Sequence, residues 1–225
     1  QACQERERQS KYFYGWYDLG GVENAPILAI YQSQYKTRFI LNEINTVTYH
    51  AMIAFIPKKR LSKLKLKALL TYLNSSFTQL YIESVARITG MGVAALEVQH
   101  AEEMPVIDVN RLDEDELKAL ANLFDKLDSE ARRLGGASKR ENMMKLWDTV
   151  IAEIDYKVAD ILGLSRELAD GARALAKIMM ERRLQRAREA RPQAIRGEEE
   201  YRPRRPPRAR RRRKAEEDKR QTRLI

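Results

Sequence analysis

The sequence is poor in the residues that most often bind metals or form disulfide bonds. Its 225 residues include one cysteine and two histidines. Cys3 has no partner for an internal disulfide, so a disulfide framework is excluded. His50 and His100 are isolated in the sequence, and a metal site needs several ligands. We therefore expect neither a metal site nor a redox function.

The sequence also lacks the motifs of common enzyme classes. No CxxC, HExxH, GxSxG or phosphate-loop pattern occurs. Gly90-Met91-Gly92 resembles a nucleotide loop only weakly, because it has no third glycine and no strand is predicted before it. We assign no catalytic residue and no cofactor to this chain.

Long apolar runs are missing as well. None approaches the ~18 residues of a membrane-spanning helix, and the amino end lacks the pattern of a signal peptide. We expect a soluble, cytoplasmic protein with no membrane partner. Because residue 1 is Gln, we expect that the chain either begins inside a longer protein or was trimmed.

The net charge of +10 is unevenly distributed along the chain. Residues 182–225 hold 18 Lys+Arg against 7 Asp+Glu, whereas residues 1–181 hold 24 against 25. Within the nearly neutral part, residues 36–67 hold 8 basic residues against 1 acidic, and residues 97–181 hold 12 against 19. A basic end and an acidic end favour an oriented site for a polyanion.

Strand-like and helical patterns follow one another along the chain. Aromatic and β-branched residues, punctuated by turn residues, predict a small, mostly antiparallel sheet from segments 12–19, 25–32, 38–43 and 47–57. From Leu64 to about Thr89, apolar residues recur at helical spacing. Asn74-Ser75-Ser76 interrupts this helix, which favours two helices meeting at a bend, and Gly90 is expected to end it.

Three further helices are predicted after a connector at residues 93–109. Each has a candidate N-cap: Asp113 with Glu116, Ser138 with Glu141, and Ser165. The second helix is expected to run to Leu162, and Pro192 is expected to end the third. The Arg-rich segment that follows has too few apolar residues to fold. We therefore predict an α+β fold with a target-binding domain at 12–109, a helical bracing or docking region at 110–191, and a disordered basic tail at 192–225.

Several segments together resemble one family. They are Trp16-Tyr17, RFILNE at 38–43, Ile56-Pro57, Leu73-Asn74-Ser75, Arg87 before the Gly90-Met91-Gly92 loop, Met104-Pro105-Val106, and AEIDYKVADILGLS at 152–165. In this order they are similar to the C-terminal target-recognition region of a DNA adenine methyltransferase from a restriction-modification system. The resemblance covers roughly residues 12–187. The cofactor loop and the Asn/Asp-Pro-Pro-Tyr/Phe motif of the catalytic domain are absent from the chain.

The resemblance implies a function in DNA recognition. Its expected partners are double-stranded DNA and a catalytic methyltransferase domain or subunit. S-adenosylmethionine would bind to that catalytic domain, which would methylate the exocyclic amine of an adenine flipped out of the duplex. Arg87, Gly90 and Gly92 correspond to the basic residue and the glycine-rich loop of the family, and we include them among the expected DNA contacts.

Candidate contacts also follow from residue type. Lys36, Arg38, Lys58, Lys59 and Arg60 flank or follow predicted strands and are suited to phosphate contacts, although a solvated helix start explains the last three equally well. Amide and hydroxyl groups beside the turns are suited to reading base edges. These groups belong to Asn42, Asn45 and Tyr49.

Two other functions remain open. One is a helical scaffold that bridges subunits, with the tail as a nonspecific nucleic-acid anchor; an exposed apolar stripe on the later helices would favour it. The other is an RNA-associated protein that uses its Arg-rich tail. Truncation at Arg191 separates these possibilities from a DNA-reading module.

Overall fold

A computed structural model describes residues 24–44 and 51–200, with side chains described as far as residue 190. The strands are β1 (Ile27–Ile30), β2 (Gln32–Ser33), β3 (Phe39–Leu41), β4 (Met52–Phe55), β5 (Arg87–Thr89) and β6 (Val93–Ala95). The helices are α1 (Lys63–Leu73), α2 (Ser76–Val85), α3 (Val98–Glu102), α4 (Glu114–Arg133), α5 (Arg140–Asp148), α6 (Val150–Leu162) and α7 (Arg166–Glu200). This architecture confirms the predicted α+β class.

The strands form two small antiparallel sheets, in the orders β3-β1-β4 and β2-β6-β5. In the first sheet, Ile27 lies opposite Leu41 on one side and Phe55 on the other. The segments that leave β3 and β4 therefore depart from the same end of this sheet. Phe39 and Phe55 also meet edge to face, with 5.7 Å between ring centroids.

The main core lies between the first sheet and α1, α2, α4 and α6. Leu70, Ile82, Leu120 and Ile154 are each at most 1 % exposed. Burying each of these side chains stabilises the fold by about 2 kcal/mol. The Thr71 hydroxyl donates a 2.7 Å hydrogen bond to the Leu120 carbonyl, which ties α1 to α4 where they pack.

The helical stretch from Leu64 is broken at Asn74, as its sequence suggests. Ser62 and Ser75 each accept a backbone hydrogen bond as N-caps of α1 and α2. The predicted extension to Thr89 is wrong, because α2 ends at Val85 and β5 follows. Gly90 therefore does not end a helix; it begins a single 3₁₀ turn between β5 and β6.

The later helices confirm two of the three predicted caps. Asp113 and Glu116 form a reciprocal capping box, and the Ser165 hydroxyl accepts the Leu168 N–H. The prediction for Ser138 is wrong, because Lys139 is the N-cap of α5 and makes no side-chain cap bond. The second predicted helix is in fact two, since the backbone leaves helical geometry at Thr149 (φ −114°, ψ −95°).

The prediction that Pro192 ends the last helix is also wrong. The backbone of α7 stays helical to Glu200, because a proline removes one helical hydrogen bond at a cost of about 3 kcal/mol but does not forbid the conformation. The chain divides into two units, residues 1–187 and 188–225. The predicted strand at 12–19, the segment 45–50 and the tail from residue 201 lie outside the described residues.

Candidate nucleic-acid interface

A run of three basic residues follows the end of β4. Lys58, Lys59 and Arg60 are all exposed, and none forms an ion pair within the described part of the chain. Two basic residues farther on are different. Lys63 pairs with Glu43 and Lys67 with Asp125, each at 2.7 Å. The charge of the run at 58–60 is therefore available to an outside anion.

Lys58 and Lys59 of this run line a wide groove of about 1090 Å³. One wall comes from β4 and residues 56–61, and the other comes from α3 and residues 104–110. Apolar side chains stand exposed on both walls, among them Ile56 at 51 % and Val106 at 57 %. The groove therefore combines a cationic border with apolar contact surface.

Two of the predicted DNA contacts are buried in this chain. Asn42 is 7 % exposed and its side-chain amide donates to the Ala25 carbonyl at 2.9 Å. Lys36 is 3 % exposed, and burial lowers the pKa of its ammonium to about 8. Neither side chain can reach a duplex from this position, so both are left out of the interface proposed below. Arg38 is half-buried beside them, and Asn45 and Tyr49 lie outside the described residues.

The three candidates suggested by the glycine-rich loop differ in their surroundings. Arg87 is exposed, but its guanidinium pairs with Glu97 at 2.6 Å and also contacts the Tyr31 hydroxyl. This pairing raises the pKa of Arg87 and lowers that of Glu97. Gly90 is exposed, whereas Gly92 is buried against α7.

The Leu73-Asn74-Ser75 segment has a structural role. The Asn74 side-chain oxygen accepts the Phe39 N–H at 3.2 Å, and its amide nitrogen donates to the Phe39 and Leu70 carbonyls at 2.9 Å. Asn74 thus bonds the free edge of β3 as a neighbouring strand would. This contact joins two of the family-like segments, since Phe39 lies in RFILNE.

A buried carboxylate connects α2, α5, α6 and α7. Asp155 accepts the Ser76 N–H and hydroxyl, each at 2.7 Å, and the Arg173 guanidinium at 3.2 Å. The Trp147 indole N–H donates to the same Ser76 hydroxyl at 2.8 Å. Burial raises the pKa of Asp155, although the Ser76 bonds and nearby cations oppose this shift. Fully hydrogen-bonded buried groups of this kind hold elements in one arrangement.

A second buried pair joins α7 to α2 and to the loops after β2 and before β6. Arg183 and Glu83 are each about 1 % exposed in their side chains and bond at 2.7 and 2.9 Å. The same guanidinium donates to the carbonyls of Gln34, Tyr35 and Gly92. Sequence reasoning missed Asp155 and Arg183, although each is a charged residue within a periodic apolar helix face.

The described residues contain no metal-binding group of three or more His, Cys, Asp or Glu side chains. In the same part of the chain, no helix is long and apolar enough to cross a membrane. The features described so far that are available for binding are the cationic run and its groove, and two buried polar clusters support them.

Comparison with known proteins gives one match. The family model described as "Type II methyltransferase M.Eco57I, C-terminal domain" matches residues 5–151. No curated protein and no solved structure matches the chain. The match agrees with the resemblance to the C-terminal region of a restriction-modification methyltransferase and spans more than half of the sequence. The chain therefore belongs to the family of the C-terminal domain of the type II methyltransferase M.Eco57I.

Proposed function

We propose that this chain binds duplex DNA and contributes to target recognition for a restriction-modification methyltransferase. Its family membership supports a place in such an enzyme. The observation that carries the proposal is the exposed, unpaired run Lys58, Lys59 and Arg60 beside the groove. Cationic side chains that are not neutralised by the protein release counterions from DNA when they contact phosphates.

Phosphate contacts position a protein on DNA but do not select a sequence. Sequence reading needs polar groups at base edges, and Asn45 and Tyr49 remain the candidates for it. The apolar walls of the groove offer additional contact surface through Ile56 and Val106. In this proposal the basic run fixes the register on the duplex, and the polar residues between β3 and β4 read the bases.

The methyl transfer itself belongs to a catalytic region in this proposal. That region would bind S-adenosylmethionine and accept the target adenine after it is flipped from the duplex. No residue of this chain is assigned to the cofactor or to the flipped base.

The salt dependence of DNA binding tests the cationic run. Each phosphate contact contributes about −0.9 to the slope of log affinity against log salt. The triple variant K58A/K59A/R60A should therefore flatten the slope by about 2.7, because three contacts are lost. Fluorescence anisotropy of a labelled duplex across a salt series gives this slope.

A matched control removes the same charge elsewhere. Lys118, Lys126 and Arg133 are exposed but already paired with Glu114, Glu153 and Glu130. The variant K118A/K126A/R133A should change the slope by less than about one unit, since it removes no phosphate contact. Equal flattening in both variants would mean that only net charge matters, and would contradict an interface at residues 58–60.

The outer face of α7 favours a second function, docking onto a protein partner. Leu168, Leu175 and Ile178 are 57 %, 46 % and 46 % exposed, while Ala169, Ala176 and Met180 on the same helix are fully buried. A helix with apolar side chains on two faces is suited to cover by another protein surface. We propose the catalytic methyltransferase region as that partner.

Association in trans tests this docking. L175E/I178E should weaken binding to a separately expressed catalytic region at least about tenfold, because two charges would be buried without partners. The control N122E/S129E adds the same charge at exposed positions of α4 and should leave the affinity unchanged. Unchanged affinity in L175E/I178E would exclude this face. DNA binding by the isolated chain should be the same in all three proteins.

A further inference from the structure

A partly open cavity of about 310 Å³ lies between β3, α1, α4 and α5, apart from the groove described above. Much of its wall is apolar, and this inner wall includes Phe39, Phe124, Leu127, Met143, Leu146 and Ile151. This volume is at the lower end of the range for small-molecule sites, and such sites combine apolar walls with a few polar groups. The polar groups on the wall therefore decide what the cavity accepts.

Most charged groups around the cavity already have partners. Glu43 pairs with Lys63, Lys67 with Asp125, and Asp128 with Arg132, each at 2.7 Å. These pairs leave no net charge at the rim.

Two cations on the wall are different. Lys36 and Arg38 form no ion pair and donate no side-chain hydrogen bond to any residue that the structure describes. Lys36 is 3 % exposed, so its side chain is largely shielded from solvent. The nearest acidic influence on it is Asp155, which is itself bonded to Ser76 and Arg173. A buried ammonium without a paired anion is costly to keep charged.

The uncharged polar groups on the wall are occupied. The Asn74 amide bonds to Phe39 and Leu70, and the Thr37 hydroxyl bonds to Ser33 at 2.9 Å. The Thr37 N–H donates to Gln79 at 2.9 Å. The cavity therefore offers a ligand two cations and an apolar wall.

We propose that this cavity binds a small organic anion, whose carboxylate or phosphate pairs with Lys36 and Arg38 while an aromatic or branched apolar body fills the inner wall. Charge-assisted hydrogen bonds to both side chains would compensate for the burial of Lys36. The proposal does not depend on DNA binding, because the cavity is separate from residues 58–60.

Calorimetric titration of the whole chain tests the ligand class. Benzoate and phenyl phosphate carry an anionic group on an aromatic body, benzyl alcohol is a neutral analogue, and inorganic phosphate has no apolar body. At least one aromatic anion should bind at least about tenfold more tightly than benzyl alcohol and inorganic phosphate, since each lacks one of the two contacts. Equal binding of the neutral analogue, or no binding of either aromatic anion, would overturn the proposal.

Two independent variants locate the site. Lys36→Met should weaken binding of the aromatic anion at least about tenfold by removing the buried charge, and Ala131→Phe should do so by filling the cavity with Lys36 intact. The control Lys118→Met removes an exposed charge away from the cavity and should bind as the wild type does. Near-UV circular dichroism reports whether each variant is folded. Wild-type affinity retained in folded Lys36→Met or Ala131→Phe would contradict the assignment.

The pH dependence gives a further readout. Benzoate stays ionised above pH 7, so a loss of affinity above about pH 8 reports deprotonation of Lys36, whose pKa burial lowers to about 8. Asp155 on α6 is the acidic group that acts on Lys36, and Arg173 on α7 is bonded to its carboxylate. Affinity should fall from pH 7 to pH 9.5 in the wild type and stay level in Lys36→Met; a fall of equal size in both would overturn the role of Lys36.

Discussion

Gly92 is placed where no other residue fits. Its φ is +70°, and an added Cβ would lie 3.0 Å from the Ala187 Cβ and 3.1 Å from the Arg183 carbonyl oxygen. Gly92→Ala should therefore lower the free energy of unfolding by about 2 kcal/mol or more, because the left-handed backbone and the contact with α7 both oppose a side chain. Gly90→Ala is the matched control, since nothing lies within 4 Å of that position. Urea denaturation measures both; similar losses would contradict the special role of the left-handed backbone and of the approach to α7 at Gly92.

The buried ammonium of Lys36 makes the free energy of unfolding depend on pH in the alkaline range. Its pKa falls from 10.5 to about 8 on folding, so between these values the unfolded chain binds more protons. The cost of burying the charge is therefore fully present below pH 8 and disappears as pH rises towards 10.5. Lys36→Met should raise the free energy of unfolding at pH 7 by up to about 3 kcal/mol, since one pKa unit corresponds to about 1.4 kcal/mol.

Denaturation at pH 7 and pH 10 measures this effect. The difference between Lys36→Met and the wild type should shrink at the higher pH, whereas exposed Lys59→Met should differ little at either. Lys36→Met also removes a positive charge that acts on Asp155, and this loss reduces the gain in the free energy of unfolding. The Asp155 carboxylate then keeps only Arg173 as a nearby cation among its contacts. A gain of the same size at both pH values would assign the effect to packing and not to charge.

At the scale of elements, Asn74 joins the end of α1 to the edge of β3. Asn74→Ala would leave the Phe39 N–H and carbonyl without their side-chain partner in a buried position. Each unpaired backbone group costs about 1–3 kcal/mol, so a loss of about 2–4 kcal/mol is expected. Asn110→Ala removes an exposed amide that bonds to Lys65 and Asp108, and should change stability by no more than about 0.5 kcal/mol. Hydrogen exchange at Phe39 should accelerate only in the first variant; unchanged exchange there would contradict the role of Asn74.

Elements with strong local signals could be predicted from the sequence. The segments at 25–32 and 38–43, predicted from their aromatic and β-branched residues, contain β1 and β3, and Asp113 with Glu116 marks the start of α4. The strands β5 and β6 were missed because three residues are too few to show a period of two. The sequence at Thr149 does not predict the break between α5 and α6, since the apolar spacing continues across it.

Candidate site residues were harder to predict, because the local sequence does not determine which polar side chains are buried. Exposure of the run at 58–60 follows from its charge and could be anticipated, whereas burial of Lys36 and Asn42 depends on tertiary packing. Arg183 meets Glu83 across 100 positions in the chain, so no local pattern reveals the pair. Only its position between the buried residues Met180 and Leu184 hints that Arg183 faces inward.

At the scale of the whole molecule, the charge is unevenly divided between a nearly neutral body, residues 1–191, and a strongly basic end, residues 192–225. Many of the basic side chains of the body are neutralised by acidic neighbours, as in the pairs of Lys67, Arg87 and Lys126. Residues 192–225 hold 13 Lys+Arg against 6 Asp+Glu, so removing them lowers the net charge from +10 to +3. Nonspecific binding to any polyanion should come mainly from that segment.

Truncation after Arg191 separates the three functions considered for the chain. A randomised duplex pool, a salt series and an RNA competitor should be compared by fluorescence anisotropy for the full and truncated proteins. If the body reads DNA, the truncated chain should still enrich particular duplexes, and its salt slope should be shallower because fewer phosphates are neutralised. Binding that disappears with the tail would leave the body as a protein-docking element, and selective competition by RNA that is lost on truncation would favour RNA association. Because K58A/K59A/R60A removes charge from the body alone, enrichment that survives truncation and is weakened by this variant would place DNA recognition beside β4.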